Sequence, residues 1–315
     1  MLDVKRLRVL KEVAERGSFS AAAESLSYTQ SAVSQQIAAL EREAGTTLVD
    51  RGSRGVRLTD SGRALVEHSE AILARLAAAE AELEAIAGLR GGRLRLASFP
   101  TAGATLMPLA IARFSAAHPG VELSLVEAEP EESLPLLKAG ELDVALTFEY
   151  ENLPGSVFRP GDEGIEVHKL LEDRMYAALP CGHPLAERRR LRLADLEGEA
   201  WVQGDMNEVC GLMHLTACRR AGFEPRVAFE SDDYNVIQGL VAAGVAVSLI
   251  PDLALANLRE DIVIRDLGRD APVRHIAAAA LAGSHRPPAT AAMLDILRAA
   301  AVEYREQRAA EPVAV

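Results

Sequence analysis

Between Thr59 and Gly88 the chain holds one helix breaker, Gly62, and no proline. Leu65, Ser69, Ile72, Leu76, Ala79, Leu83 and Ile86 recur there at alternating spacings of four and three, a heptad seam sustained for three repeats. At ~1.5 Å per residue this segment predicts a helix roughly 43 Å long. Such a helix cannot bury its seam within the short segment that precedes it, so the seam requires a partner helix. It also divides the chain into a head at 1–59, the helix at 60–90, a large module at 91–305 and a tail at 306–315. A length of 315 residues agrees, being too long for one ordinary core.

The formal net charge of −12 would ordinarily argue against nucleic acid as a partner, but the charge is unevenly distributed. Residues 1–60 hold nine Lys/Arg against eight Asp/Glu, so the acidity belongs to the later module. No run reaches ~18 uncharged apolar residues, and "MLDVKRLRVLKEV" interleaves charge with Leu and Val, so a cytoplasmic protein without membrane contact is expected. Cys181, Cys210 and Cys218 lack CxxC spacing, and the seven histidines lack ligand spacing. Neither a disulfide framework, a metal nor a cofactor is expected.

In the head, a first helix is expected to start with Asp3 as its cap, bury Leu7, Leu10, Val13 and Ala14, and stop at Gly17. Ser20 is expected to cap a short second helix, "AAAESL", before a turn at Ser27-Tyr28. Thr29 is then a natural cap for "QSAVSQQIAALE". Val33, Ile37 and Leu40 form one stripe of that helix, which leaves Ser31, Ser34, Gln35, Ala38 and Arg42 on the other side. That face is polar but short and nearly uncharged. Gln can contact adenine bidentately and Ser several bases, so the face suits a major groove. Two β-capable runs follow, Leu48-Val49 and Val56-Leu58, around a turn with Arg51, Arg54 and Arg57. A basic hairpin beside a helix-turn-helix reads as a wing for phosphates or the minor groove.

The stretch "FSAAAESLSYTQSAVSQQIAALEREAGTTLVDRGSRGVRLTDSG" closely resembles the N-terminal domain of LysR-type transcriptional regulators. The resemblance lies in the Phe-x-x-Ala-Ala opening, the Gln-Ser-Ala-Val-Ser-Gln-Gln-Ile-x-x-Leu-Glu helix, the wing arginines and Leu-Thr-x-x-Gly. It implies that Gln30, Ser31, Ser34 and Gln35 contact bases and phosphates, and that Arg51 and Arg54 are wing contacts. Two positions depart from the family pattern: Ser31 stands where the family often has Pro, and Gln35 where it often has Arg. The second change removes a charge and a guanine reader. A dimer of dimers (a homotetramer) is implied, with double-stranded DNA carrying an inverted repeat and RNA polymerase as partners.

From "RLRLAS" onward strands and helices alternate, which implies an α/β module built of parallel sheets. Strands are expected at "RLRLAS", "VELSLVE", "DVALTF", "MYAALP", "WV", "RVAF", "VAVSLI" and "HIAAAALA". Helices are expected at about 104–117, 131–139, 207–221, 232–243 and from Pro287 to about Arg305. Two subdomains joined by two crossing strands follow, I at about 91–165 with 267–305 and II at about 166–266. "AGELDVALTF", "GHPLA", "AGFEP" and "VAAGVAVSLIP" resemble the LysR-type regulatory domain, which shares the fold of type 2 periplasmic binding proteins.

The resemblance implies a small-molecule effector in the cleft between the subdomains. Strand ends and helix N-termini favour anions there, so an organic acid is an expected effector. Ser98, Thr101 and Ala102 of "ASFPTAG" are the expected cradle, with Thr147, Phe148 and Gln203 opposite. Ser98 and Thr101 are equally natural as helix caps. Neutral and aromatic ligands stay open, since "ASFPTAG" holds no Lys or Arg.

An enzyme is not expected: there is no Gly-x-Gly-x-x-Gly, Gly-x-Ser-x-Gly or His-Glu-x-x-His. The nearer alternative is a thiol redox sensor of the same family using Cys210 and Cys218. On one helix, eight residues put about 12 Å of rise between them, beyond the ~7 Å that a disulfide tolerates.

Overall fold

The computed structural model describes residues 1–52, 55–86, 92–153, 164–283 and 286–310. Its contacts divide it into two compact units, residues 1–87 with 135–141, and 88–134 with 142–315.

The head begins with α1 (Val4–Arg16), where the Asp3 carboxylate accepts from Lys5 N–H at 2.8 Å and Gly17 closes the helix at φ 66°. α2 (Phe19–Ser25) is capped by Ser18, whose Oγ accepts from Ala21 N–H at 3.1 Å. The expected cap, Ser20, lies inside the helix because Phe19 already joins it and buries its ring in the head core. Ser27 turns the chain in the left-handed region at φ 55° and aims α3 (Gln30–Ala44) across the first two helices. Thr29 caps α3, and Val33, Ile37 and Leu40 are fully buried. Val9 joins Leu7, Leu10 and Val13 in the core, whereas Ala14 is only partly covered.

β1 (Val49–Gly52) and β2 (Gly55–Leu58) pair antiparallel, Val49 opposite Leu58 and Arg51 opposite Val56. Glu41, near the end of α3, accepts from Leu48 N–H at 2.9 Å and Val49 N–H at 3.3 Å, which ties the start of the hairpin to α3. Thr59 Oγ accepts from Gly62 N–H and donates to the Thr47 carbonyl, starting α4 (Asp60–Ile86). The seam then splits. Leu65 packs on the head core and Ser69 is buried, but Ile72, Leu76, Ala79 and Leu83 are exposed.

Beyond α4 the chain runs β3 (Arg93–Ser98), α5 (Pro100–Gly103), α6 (Leu106–Ala117), β4 (Glu122–Glu127), α7 (Pro130–Lys138), β5 (Val144–Tyr150) and β6 (Ile165–Pro180). Then come β7 (Ala200–Gln203), α8 (Val209–Arg220), β8 (Arg226–Glu230), α9 (Tyr234–Ala242), β9 (Ser248–Pro251), β10 (Ile262–Arg265), β11 (Val273–Leu281) and α10 (Pro288–Ala310). β3 is parallel to β4 and β5, and β7 is parallel to β8, as the alternation implies. The rest corrects the expectation of parallel sheets. β11 is antiparallel to both β5 and β6, while β9 and β10 are antiparallel to β6.

The reason is β6 itself. Its sixteen residues span both halves of the unit, pairing with β11 up to Arg174 and with β9 and β10 beyond it. The chain returns along the same strand through β10 and β11, so the two crossing strands form one antiparallel ribbon. β3, β4 and β5 extend the sheet at one end of the ribbon. At the other end β7 and β8 adjoin β9 through a bridge between Trp201 and Val247. α10 continues five residues past Arg305 into the expected tail, where Arg308 donates to Asp252 at 2.8 Å; just before it, Tyr304 donates to the Asp252 carbonyl at 3.1 Å.

Candidate functional site

On α3 the buried stripe fixes which residues face outward. Gln30, Ser31 and Gln35 are exposed and Ser34 is half-buried. Ser31 shares a hydrogen bond with Thr29 at 3.0 Å, while Gln30, Ser34 and Gln35 have no side-chain partner among the described residues. The neighbouring Gln36 differs, since its Oε1 accepts from Arg6 Nε at 3.1 Å and holds α3 to α1. Consecutive glutamines thus divide the work: one anchors the helix and the other stays available. Arg57 is exposed on β2. The backbone of Arg51 lies in β1, its side chain is outside the described set, and Arg54 lies outside the described residues altogether.

In the second unit a depression of about 550 Å³, measured to its open mouth, lies where the two halves of the sheet meet. Its enclosed part is only about 30 Å³, the room of one or two waters. Thr101 and Phe148, expected ligand contacts, line it together with Phe99, Val209, Ile237 and Arg274. The other four expected residues do not. Ser98 is buried and donates to the Phe99 carbonyl at 3.1 Å, and Ala102 is a fully buried core residue. Thr147 is fully buried with no partner for its Oγ among the described residues. Gln203 is fully buried, its amide N–H directed at the Met206 sulfur. Neither Ser98 nor Thr101 caps α5, which has no side-chain cap.

Arg274, a lone cation on the apolar strand β11, organises the cleft. Its guanidinium is almost fully buried and donates to Asp173 Oδ2 from Nε at 3.1 Å and from Nη2 at 2.6 Å. Nη2 also donates to Thr101 Oγ at 2.8 Å, and the rings of Phe99 and Phe148 pack on the guanidinium at 4.9 Å each. Burial opposes this charge, yet the Asp173 carboxylate holds the guanidinium pKa above its ordinary value. Thr101 is therefore spent on orienting Arg274.

Four acidic residues share the rest of the lining with Cys210, His214, Ser231 and Tyr234. Glu129 is half-buried, and Glu131, Glu208 and Asp232 are exposed at the same opening. Burial pushes the Glu129 carboxyl up to about 7, the three nearby carboxylates push the same way, and Arg274 pulls against them. The run "VEAEPEE", which carries Glu129 beyond the end of β4, was the available sequence signal. For Arg274 the signal was its isolation in "PVRHIAAAALA".

α8 brings Cys210 to the cleft, with the Tyr150 hydroxyl 3.6 Å from its sulfur. Burial and the Glu129 charge push that thiol up to about 12. Cys218, eight residues along the same helix, is fully buried and is pushed to about 12 by burial. His214 is buried, its Nδ1 2.9 Å from the Cys210 carbonyl, and burial holds its pKa below the ordinary value.

Residues 4–63 match the family described as bacterial regulatory helix-turn-helix protein, lysR family, and residues 87–302 match the LysR substrate binding domain. The chain belongs to the LysR family of transcriptional regulators. It is 32% identical to the probable HTH-type transcriptional regulator LrrA of Synechococcus elongatus, over 96% of this chain and 99% of that protein. It is 34% identical to a probable hydrogen peroxide-inducible genes activator of Mycobacterium avium, over 79% and 78% of the two chains. Among solved structures, the LysR family regulator CbnR superposes with a TM-score of 0.62 at 25% identity, covering 95% of this chain and 99% of that one. CbnR has also been solved in complex with its target DNA. No helix among the described residues is long and apolar enough to cross a membrane.

Proposed function

We propose that this LysR-family regulator reads an inverted-repeat operator as a dimer or dimer of dimers, with its output set by a small molecule in the cleft of the second unit. Residues 1–59 serve as the DNA-binding head, 60–90 as the dimerisation helix and 91–305 as the effector module. The observation that carries the reading is the state of α3: a fully buried apolar stripe, one glutamine pinned by Arg6, and an outward face of Gln30, Ser34 and Gln35 without intramolecular partners. Unpaired amides and hydroxyls on a fixed helix are available to base edges. The exposed Ile72, Leu76 and Leu83 on α4 support assembly, since a second copy would remove them from water.

Fluorescence anisotropy on specific and random duplexes tests the head. Gln35→Ala is expected to relax sequence preference by about 1–3 kcal/mol at the contacted base, and Arg54→Ala to weaken both duplexes alike. Unchanged binding to both duplexes after Gln35→Ala would show that α3 does not read DNA.

A thiol sensor is the weaker reading despite the peroxide-responsive relative. Cys210 and Cys218 lie on one intact helix with about 12 Å of rise between them, and both thiols are held protonated at neutral pH, whereas the reactive form is the thiolate. Replacing either cysteine by serine is expected to leave any response to peroxide unaltered.

A further inference from the structure

The outward side of α3 ends in a charge. Counted at about 100° per residue, Val33, Ile37 and Leu40 mark the buried side of the helix, and Ser31, Gln35, Ala38 and Arg42 form a stripe opposite them. Ser31, Gln35 and Arg42 are exposed. Arg42 makes no hydrogen bond or ion pair among the described residues. Two features keep it so. On a helix the partners of a surface cation stand three or four residues away, and for Arg42 those positions hold Ala38, Ala39, Gly45 and Thr46. Its neighbours in sequence are both acidic, but the helix turns them to opposite flanks. Glu41 accepts from the Leu48 and Val49 N–H groups, and Glu43 pairs with Arg6. Elsewhere in the head, Arg16 pairs with Glu12 and Arg63 with Asp60 at such helical spacings.

We propose that Arg42 holds a phosphate of the DNA backbone while the residues before it on the stripe meet base edges. This rests on the reading of α3 as the DNA-contacting helix and adds to it a contact beyond the bases. A recognition helix touches base edges with its N-terminal residues. Arg42 lies in the last turn of α3, about 10 Å beyond Gln35 along the axis, whereas half the width of a major groove is about 6 Å. Its guanidinium is thus carried past the bases to the edge of the groove, where a fork of donors fits two phosphate oxygens. Ala38, between the two, projects only a methyl group and so lets the helix approach closely. A cation in the last turn also complements the helix dipole, but that role involves no DNA.

The test titrates the full-length protein at several salt concentrations against two probes, a duplex it selects from a random pool and an unselected duplex of equal length. Arg42→Ala is expected to reduce the slope of log affinity against log salt by about 0.9 per bound head on both duplexes, with the preference between them unchanged. Arg42→Lys keeps the charge and is expected to keep the slope. Arg8→Ala is the control, since Arg8 on α1 is equally exposed and has no partner among the described residues. Its slope is expected to stay near that of the parent protein. A slope unmoved by Arg42→Ala would overturn the phosphate contact, and a lowered melting temperature with it would assign Arg42 to the dipole. An equal fall in Arg8→Ala would overturn it too, because the slope would then follow net charge alone. A loss confined to the selected duplex would make Arg42 a base reader instead. Gln35→Ala separates the two readings: if it relaxes the preference in those cases, only the Arg42 contact falls, and if it does not, the reading of α3 falls as well.

Discussion

Glu129 is a carboxyl group held where its charge is poorly tolerated. Its folded pKa of about 7 lies above the ordinary 4.5, so folding takes up a proton between those values. The corresponding stability is fully present below the ordinary value and is lost as pH rises through 7. Arg274 faces it from β11, Glu131 from α7, Glu208 from the start of α8 and Asp232 from the start of α9. Cys210 and Tyr234, which also line the cleft, stay protonated across this range, and burial holds the His214 pKa below its ordinary value. The melting temperature is therefore expected to fall between about pH 5 and pH 7 and to level off above that, and Glu129→Gln to remove most of that slope. Calorimetry across the range checks this, and an unchanged slope in the variant would assign the titration to another group. The residues that make this cleft were only partly legible in the sequence. Ligands in such folds lie at strand ends, but the sequence does not say which strand: "ASFPTAG" follows β3, while the acids of the cleft include Glu129 and Glu131 just beyond β4. Ser98 and Thr101 have the hydroxyls a cradle needs, but burial and Arg274 had already claimed them.

Elements whose signal is local matched the sequence reading closely, and elements defined by pairing did not. The head helices carry their own caps and periodic stripes, so Asp3, Thr29 and Gly17 mark their ends without reference to the fold. The first half of β6, "IEVHKLLEDR", breaks apolar alternation because its buried Asp173 exists to hold Arg274 across the ribbon. β10 has only four residues, too few for a periodic signal. Gly62 shows a third case, a residue whose role is visible only in three dimensions. A Cβ there would lie 2.0 Å from the Leu48 carbonyl oxygen, which belongs to the backbone beside the wing and has no flexible end to swing aside. Gly62→Ala gains about 1 kcal/mol of helix propensity yet is expected to destabilise the protein by more than about 2 kcal/mol net, through the forced separation of α4 from the wing. The urea midpoint of the variant checks the sign; a stabilised protein would mean that the contact yields easily.

At the scale of the whole molecule, the proposed function requires attraction to DNA to come from the number of heads more than from any one of them. The outward face of α3 carries no charge at Gln30, Ser31, Ser34 or Gln35, and the formal net charge of the chain is −12. Joining two heads turns the second binding step into an intramolecular one, which raises apparent affinity by about 10² to 10⁴ without any new contact. The exposed run of Ile72, Leu76 and Leu83 is where that joining would occur, and each side chain buried there contributes about 1.5–3 kcal/mol at most. Leu76→Glu places a charge in the middle of the seam on a face that the single chain leaves in water, so the subunit is expected to fold while the pair comes apart. Sedimentation should then show a shift to smaller species. Binding to a duplex with two half-sites should fall by about 10²-fold, while binding to one isolated half-site should hardly change. An equal loss on both duplexes would locate the defect within the head, and an unchanged assembly would move the dimer contact off α4.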